Sequence, residues 1–387
     1  MPTEYERLGV DAQKKGVHRV FGTLNDNLYP NAFCVVTRDP DFPEYGAVHH
    51  TDSAGSKPIQ NYIHYKETGD IDYFKSLAQD TIAMNVNDII CVGAKPLSFI
   101  DYIAINSFKV PKEELLQVLK NGFTENFNML KNYGSEIQFA GGETADLPDQ
   151  LRTLDVSGAL MGRVKLSEVI TGQNINDNCM IIGLRSGGKT KYESTENSGI
   201  MCNGITLARH CLMHKDYENI YPEIKGERGY SGKFKTDQYV ETLNMTAGEA
   251  IMSGTRIYAP VIMKILSKYG SYVKGLVHNT GGGQTKSLKL GQNIHYIKDQ
   301  IFPPDPIFHL IQTESKESWK AMFEDYNMGT GFEIIIDREV VDETLSIPDS
   351  YGLEAKIIGR CKQNKHGNQV TIQTKLAPTG AFDYKSD

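Results

Sequence analysis

The sequence predicts a mixed α/β (α+β) chain of two domains, and three observations point that way. At 387 residues the chain is long enough to bury two separate cores. Short apolar runs that end in Gly-, Ser- and Asp-rich clusters alternate with longer stretches of helical periodicity. Around residues 165–178 the pattern turns polar, with Gly172 and Asp177, which divides the chain into residues 1–168 and 169–387.

In chain order, residues 32–37 and 47–51 read as paired strands joined by D-P-D-F-P-E-Y-G. The second runs out into T-D-S-A-G-S-K, which gathers Asp52, two serine hydroxyls, a glycine and Lys57 at a strand end, where open α/β sheets hold ligands. Residues 76–92 carry Ile82, Ala83, Val86, Ile89, Ile90 and Val92, spaced as on a buried helix. Yet Asp80, Asn87 and Asp88 share one side of that helix. A buried carboxylate is costly unless paired, hydrogen-bonded or bound to a metal. Asp52 and Asp88 therefore suggest an acidic pocket for a hard cation and its phosphate, with simple turn capping as the alternative. Pro96 ends the helix. Residues 97–105 come next as a buried strand whose Asp101 needs a partner, and residues 111–133 as a helix between Pro111 and Gly134. Residues 137–140 form a strand leading into G-G-E-T-A-D, where Gly141 and Gly142 read as a tight turn and Glu143 and Thr144 as oxygen ligands. Residues 156–164 close the first half as a strand.

The second half opens with a strand at residues 179–184. Residues 183–190, G-L-R-S-G-G-K-T, match the P-loop pattern. The segment at 192–199, Y-E-S-T-E-N-S-G, is polar and ends in glycine where a P-loop needs a helix, so a P-loop NTPase stays the runner-up. A better helix starts near Asn203 and Gly204, and residues 220–239 read as a mobile excursion with little core content. G-T-R-I-Y, with Thr255 and Arg256, leads into a helix at 261–269. A strand at 273–278 then runs into Thr280, Gly281, Gly282 and Gly283, a nest of backbone N–H groups suited to phosphate. Residues 333–336 and 355–359 read as late strands before a polar tail.

A formal charge of −7 with no Lys/Arg-rich run argues against a nucleic-acid partner. Six scattered cysteines without a C-x-x-C pair suggest reduced thiols in a cytoplasmic protein, with neither a disulfide nor a zinc framework expected. Neither a signal peptide nor a membrane partner is expected, since no apolar run is long enough to span a bilayer.

Taken in order and spacing, H-T-D-S-A-G-S-K, D-T-I-A-M-N-V-N-D, F-A-G-G-E-T-A-D-L-P, G-T-R-I-Y, H-N-T-G-G-G and N-M-G-T-G resemble the phosphoribosylformylglycinamidine cyclo-ligase (AIR synthetase) family across residues 9–359. That resemblance implies an ATP-binding and dimerisation domain at 1–168, its mixed sheet forming a barrel at the interface of a homodimer. It implies a substrate-binding α/β domain at 169–387. The implied reaction is ATP-dependent closure of formylglycinamidine ribonucleotide to aminoimidazole ribonucleotide, in purine biosynthesis. ATP and Mg²⁺ are the implied cofactors, and a need for K⁺ is left open. Asp52, Asp88 and Glu143 would hold Mg²⁺. Asp52, Lys57 and Asp88 would be catalytic, with Asp80, Asn87, Gly141, Gly142, Glu143 and Thr144 around the nucleotide. Asn203, Gly204, Thr255, Arg256, Thr280, Gly281, Gly282 and Gly283 would face the phosphoribosyl substrate. The family's glycine-rich N-terminal segment is replaced here by V-F-G-T-L-N-D-N-L-Y, and its S-G-P-H-S-N-G loop by a longer S-G-G-K-T-K-Y-E-S-T-E-N-S-G. These departures motivate a second possibility, phosphorylation of a different acceptor on the same fold.

Overall fold

The computed structural model describes residues 3–10 and 26–386, and the replaced N-terminal segment lies largely outside them. The first sheet contains β1 (Thr37–Arg38), β2 (Tyr45–Ser53), β3 (Lys95–Ile105), β4 (Gln138–Asp146) and β5 (Leu154–Lys165), in the order β1-β2-β5-β3-β4. Only β3 and β4 run parallel; the other neighbours are antiparallel. On β5 the alternation is complete, with Leu154, Val156, Leu160 and Val164 buried and the residues between them partly exposed, as a sheet covered on one face requires.

The covering element is helix Lys75–Ile90, in which every residue from 80 to 90 is buried. Such all-round burial marks a central helix. It packs on β2 and β5, on helix Lys112–Asn132, and on helix Ala259–Tyr269 and strand Val273–His278 of the second half. Phe99, Phe123, Phe127 and Phe139 lock helix Lys112–Asn132 to the sheet, with ring centroids 5.6 to 6.5 Å apart.

The second sheet contains β6 (Cys179–Arg185), β9 (Val273–His278), β10 (Ile294–Lys298), β11 (Thr330–Asp337), β12 (Ala355–Gln363), β13 (Gln369–Gln373) and β14 (Ala381–Lys385). Its order is β14-β13-β10-β12-β6-β11-β9, and a separate hairpin pairs β7 (Tyr239–Val240) with β8 (Met245–Thr246). All pairings in the large sheet are antiparallel except β10 with β13.

Several expectations change. The strand expected at 32–37 shrinks to β1, still paired with β2. G-G-E-T is not a turn but the middle of β4. Its glycines serve close approach, because a Cβ on Gly142 would lie 1.5 Å from Asp101 Oδ1 on the neighbouring strand. The segment 220–239 is packed rather than a loose excursion: Ile224, Tyr230 and Phe234 are buried, and it bridges to the chain at Met213 and His214. The polar tail completes the sheet as β13 and β14.

The P-loop geometry is not formed. No helix follows Lys189 until Ile205–Leu212, and Lys189 Nζ donates to Ser194 O at 2.7 Å. The carbonyls of Gly187 and Gly188 turn inward onto Arg256, whereas a phosphate cradle must present N–H groups.

Candidate active site

Asp88 sits in the last turn of helix Lys75–Ile90, where that helix reaches both sheets. Its Oδ1 accepts from His278 Nδ1 at 2.7 Å, and its Oδ2 lies 3.3 Å from His50 Nε2. His278 ends β9, whereas His50 and Asp52 lie two apart on β2 and so face the same way. Burial opposes ionisation of Asp88, but Lys286 and the hydrogen bonds from His278 and His50 outweigh it and hold the carboxyl well below the usual carboxylate range. Burial also pulls both imidazoles down. Asp88 and Asp52 more than reverse this at His50, whereas at fully buried His278 burial prevails.

The glycine loop lies beside this cluster. Thr280 N donates to His278 O, Gly283 N to Thr280 O, and Thr285 N to Gly282 O, and a 3-10 turn forms at Gly283–Lys289. Lys286, three residues on from Gly283, donates to Thr280 Oγ1 and exerts its charge on both Asp88 and Cys34. Asn87, next to Asp88, ties the halves together: its Nδ2 donates to Arg256 O at 2.8 Å and its Oδ1 accepts from Tyr258 N at 2.9 Å.

Asp52, Asp88 and the loop containing Thr280, Gly281, Gly282 and Gly283 are thus brought together, as the sequence suggested, but Glu143 is not. Across the sheet, Asp52 is in register with Gly158, Asp101 and Gly142, whereas Glu143 is in register with Tyr102, Ser157 and Ser53. Neighbouring registers point to opposite faces. Asp52 faces the helices, and Glu143 projects exposed from the outer face, three strands away, about 14 Å by strand spacing.

Other expected site residues form a separate structural clasp. Lys57 is fully buried, with Nζ 2.7 Å from both Asp80 Oδ1 and Ser253 O. Asp80 Oδ1 also accepts from the backbone N–H and hydroxyl of Thr255, each at 2.7 Å. These three residues pin helices Lys57–Thr68 and Lys75–Ile90 to residues 253–255, and none is presented to a ligand. Arg256 is committed as well: its donors go to both carboxylate oxygens of Glu193 and to the carbonyls of Arg185, Gly187 and Gly188, which exhausts the five N–H groups of a guanidinium. Gly204 accepts from Tyr326 O–H through its carbonyl and starts helix Ile205–Leu212. Asn203 keeps a buried Nδ2 without a hydrogen-bond partner among the described residues. Gly141 and Thr144 lie within β4.

The residues the sequence left without a role are His50, His278, Lys286, Cys34 and Asn85. A signal existed for His50, two residues before Asp52 on one strand face, and for His278, within the quoted H-N-T-G-G-G. Cys34 had none, because only folding brings it to Asp88.

Residues 32–164 match the family model described as AIR synthase related protein, N-terminal domain. A phosphoribosylformylglycinamidine cyclo-ligase from Methanocaldococcus jannaschii is 33% identical over 332 residues, covering 85% of this chain and 83% of the relative. The chain belongs to the phosphoribosylformylglycinamidine cyclo-ligase family. A cyclo-ligase from Alkaliphilus metalliredigens is 31% identical over 92% of this chain and 94% of its own length, and one from Pyrococcus horikoshii is 34% identical over 80% and 78%. Among solved structures, AaThiL complexed with AMPPCP and TMP aligns with a TM-score of 0.55 at 11% identity, covering 95% of each chain. A chain of a HypE–HypF complex aligns with a TM-score of 0.54 at 15% identity, covering 96% of this chain and 99% of that one. At such identities these likenesses show the fold alone, and it is the one expected for a cyclo-ligase family member. No described helix is long and apolar enough to cross a membrane.

Proposed function

We propose that this chain closes the imidazole ring of formylglycinamidine ribonucleotide, using ATP and releasing ADP, phosphate and aminoimidazole ribonucleotide. The single observation that carries the assignment is 33% identity to a cyclo-ligase across 85% of the chain. As a family member the chain is an ATP-dependent ligase. The site's chemistry suits that reaction, since transfer of the γ-phosphoryl group to the formyl oxygen needs charge neutralisation and alignment more than a strong nucleophile. The substrate's own amine then attacks the activated carbon, and phosphate leaves.

In this scheme residues 1–168 carry ATP and the dimer contact, and residues 169–387 the substrate. Asp52 and Asp88 would hold Mg²⁺, which would supply positive charge at the phosphates. Their fit rests on donor chemistry: Asp52 is half-buried, accepts from Ser53 N at 2.8 Å, and has no lysine or arginine ion pair among the described residues. The loop at 280–283 with Lys286 receives a phosphate. Glu143 moves from the cation cage to the outer sheet face, beside the exposed Tyr102 and near Ile100 on the adjacent strand, which are 40% and 46% accessible. A second copy covering that face would make the protein a homodimer with Glu143 at its interface, in keeping with a cytoplasmic enzyme.

Incubation with formylglycinamidine ribonucleotide, ATP and Mg²⁺, following ADP and the aminoimidazole product, tests the assignment. Product formation supports it. A folded sample that binds ATP yet releases ADP only with another acceptor would move the chain to the kinase alternative.

A further inference from the structure

Around Asp88 the hydrogen-bond network fixes which atoms carry protons. Asn85 Nδ2 donates to Thr81 O at 2.9 Å and to the carbonyls of Asp52 and Gly158 at 3.3 Å, so its Oδ1 must be the atom that meets His50 Nδ1 at 3.0 Å. His50 therefore carries a proton on Nδ1 and presents Nε2 to Asp88 Oδ2, 3.3 Å away, where a bound cation would take the place of the Nε2 proton. The other carboxylate oxygen is held in place from behind. Asn87 Oδ1 accepts from Tyr258 N, which directs its amide N–H to His278 Nε2 at 3.2 Å and leaves His278 Nδ1 as the donor to Asp88 Oδ1. A carboxylate oriented by a second-layer histidine is a common support for a metal ligand.

The third wall of this gap is Cys34. Its thiol donates to the Asp88 backbone carbonyl at 3.2 Å, and its Sγ, a His50 nitrogen and an Asp88 oxygen all lie within 4.8 Å of one another. Ligand bonds of roughly 2.0 to 2.3 Å around a tetrahedral Zn²⁺ need ligand separations only about 1 Å shorter than that limit. We propose that Cys34, His50 and Asp88 form a site for a thiophilic divalent transition metal of the Zn²⁺ class, with three protein ligands and an open fourth position. The cysteine lies 16 residues before His50 and 54 before Asp88, so spacing rules that look for paired cysteines pass over it. One thiolate with one imidazole selects such an ion over Mg²⁺, so this site shares Asp88 with the phosphate-linked cation but takes a softer ion. On binding, the Sγ–H bond is lost to the metal–sulfur bond and the Nε2–H bond of His50 to the metal–nitrogen bond, and both protons go to solvent.

The test is titration of the metal-free full chain with Co²⁺ in the absence of nucleotide and substrate, so that it is independent of the ligase assignment. The wild type should take up one equivalent with tetrahedral visible absorption and a thiolate-to-cobalt charge-transfer band, and Zn²⁺ should displace it. Cys34→Ser should lose the band, His50→Ala should lose binding, and Cys179→Ser should keep both. Asn85→Ala, which frees the His50 ring, should weaken Zn²⁺ by about tenfold. A folded wild type without the charge-transfer band, or a band that persists in folded Cys34→Ser, overturns the proposal. Should Cys34→Ser fail to fold, the presence or absence of the wild-type band still decides it.

Discussion

Asp80 and Asp88 lie two turns apart on one buried helix, yet they inhabit opposite chemical regimes. Asp80 meets a fully buried ammonium, a backbone N–H and a hydroxyl, all on Oδ1 at 2.7 Å. Asp88 meets two histidines, with Lys286 further off. The first arrangement closes on Oδ1 and leaves Oδ2 buried, without a hydrogen-bond partner among the described residues and out of reach of solvent. The second is held in the ionised form by groups that can themselves shed protons or exchange partners. A buried acid on a central helix is therefore not in itself a sign of catalysis; its partners decide.

The largest effect should come from breaking the closed pair. Asp80→Ala leaves the Lys57 charge buried alone, and should cost about 3 to 5 kcal/mol of stability in urea unfolding. The double variant Lys57→Met/Asp80→Leu removes both charges and should recover most of that loss. If the double variant is no more stable than Asp80→Ala alone, the clasp is not a closed electrostatic unit. At the open acid the pattern should reverse. Asp88→Asn keeps the size of the side chain and leaves no lysine buried alone, so it should lower the melting temperature less than Asp80→Ala does, whereas ring closure should slow by about a hundredfold or more through lost charge stabilisation. A variant that keeps its rate would remove Asp88 from the chemistry.

Arg256 sharpens the same contrast from the basic side. All five donors are taken by Glu193 and three carbonyls, so Arg256→Lys should lose about 2 to 4 kcal/mol as the fork is replaced by a point charge. The measurement that separates a structural pin from a substrate ligand is KM at a temperature where the variant is still folded. A raised KM with unchanged stability would return Arg256 to the phosphoribosyl site.

Much of the fold and half of the site are legible in the sequence, for identifiable reasons. Helix Lys75–Ile90 and β3 announce themselves by dense apolar runs bounded by a proline, and the polar residues within them flag Asp80 and Asp88 without telling one from the other. What separates them, Lys57 and Thr255 on one side and His278 and Cys34 on the other, is long-range and has no local signature. Glu143 misleads because glycines in G-G-E-T read as a turn, whereas Gly142 exists to let Asp101 approach across the sheet. Once the segment is a strand, period two alone sends Glu143 to the far face. β10, β13 and β14 escape notice because short strands such as Q-V-T-I-Q alternate polar and apolar residues too briefly to stand out.

A third buried carboxylate completes the comparison and gives the smallest expected effect. Among the described residues Asp325 has neither a lysine nor a histidine for company. Burial, joined by the charges of Glu317, Glu324 and Glu6, pushes its carboxyl up to about 8, and Oδ2 has no hydrogen-bond partner among the described residues. The folded chain thus holds this proton far more tightly than the unfolded chain, where an aspartate titrates near about 3.9. Its contribution is fully present below the unfolded value and is lost as pH rises toward the folded one, because unfolding then releases a proton. The wild type should therefore lose stability progressively between pH of about 4 and about 8 through this group. Asp325→Asn supplies the neutral form permanently, so it should flatten that decline and raise the melting temperature at pH 8 by a few degrees. At pH 4 it should change little. Parallel melting curves for the two proteins across the whole range would mean that Asp325 is ionised in the fold despite its acidic neighbours, and that a buried acid here needs no cation at all.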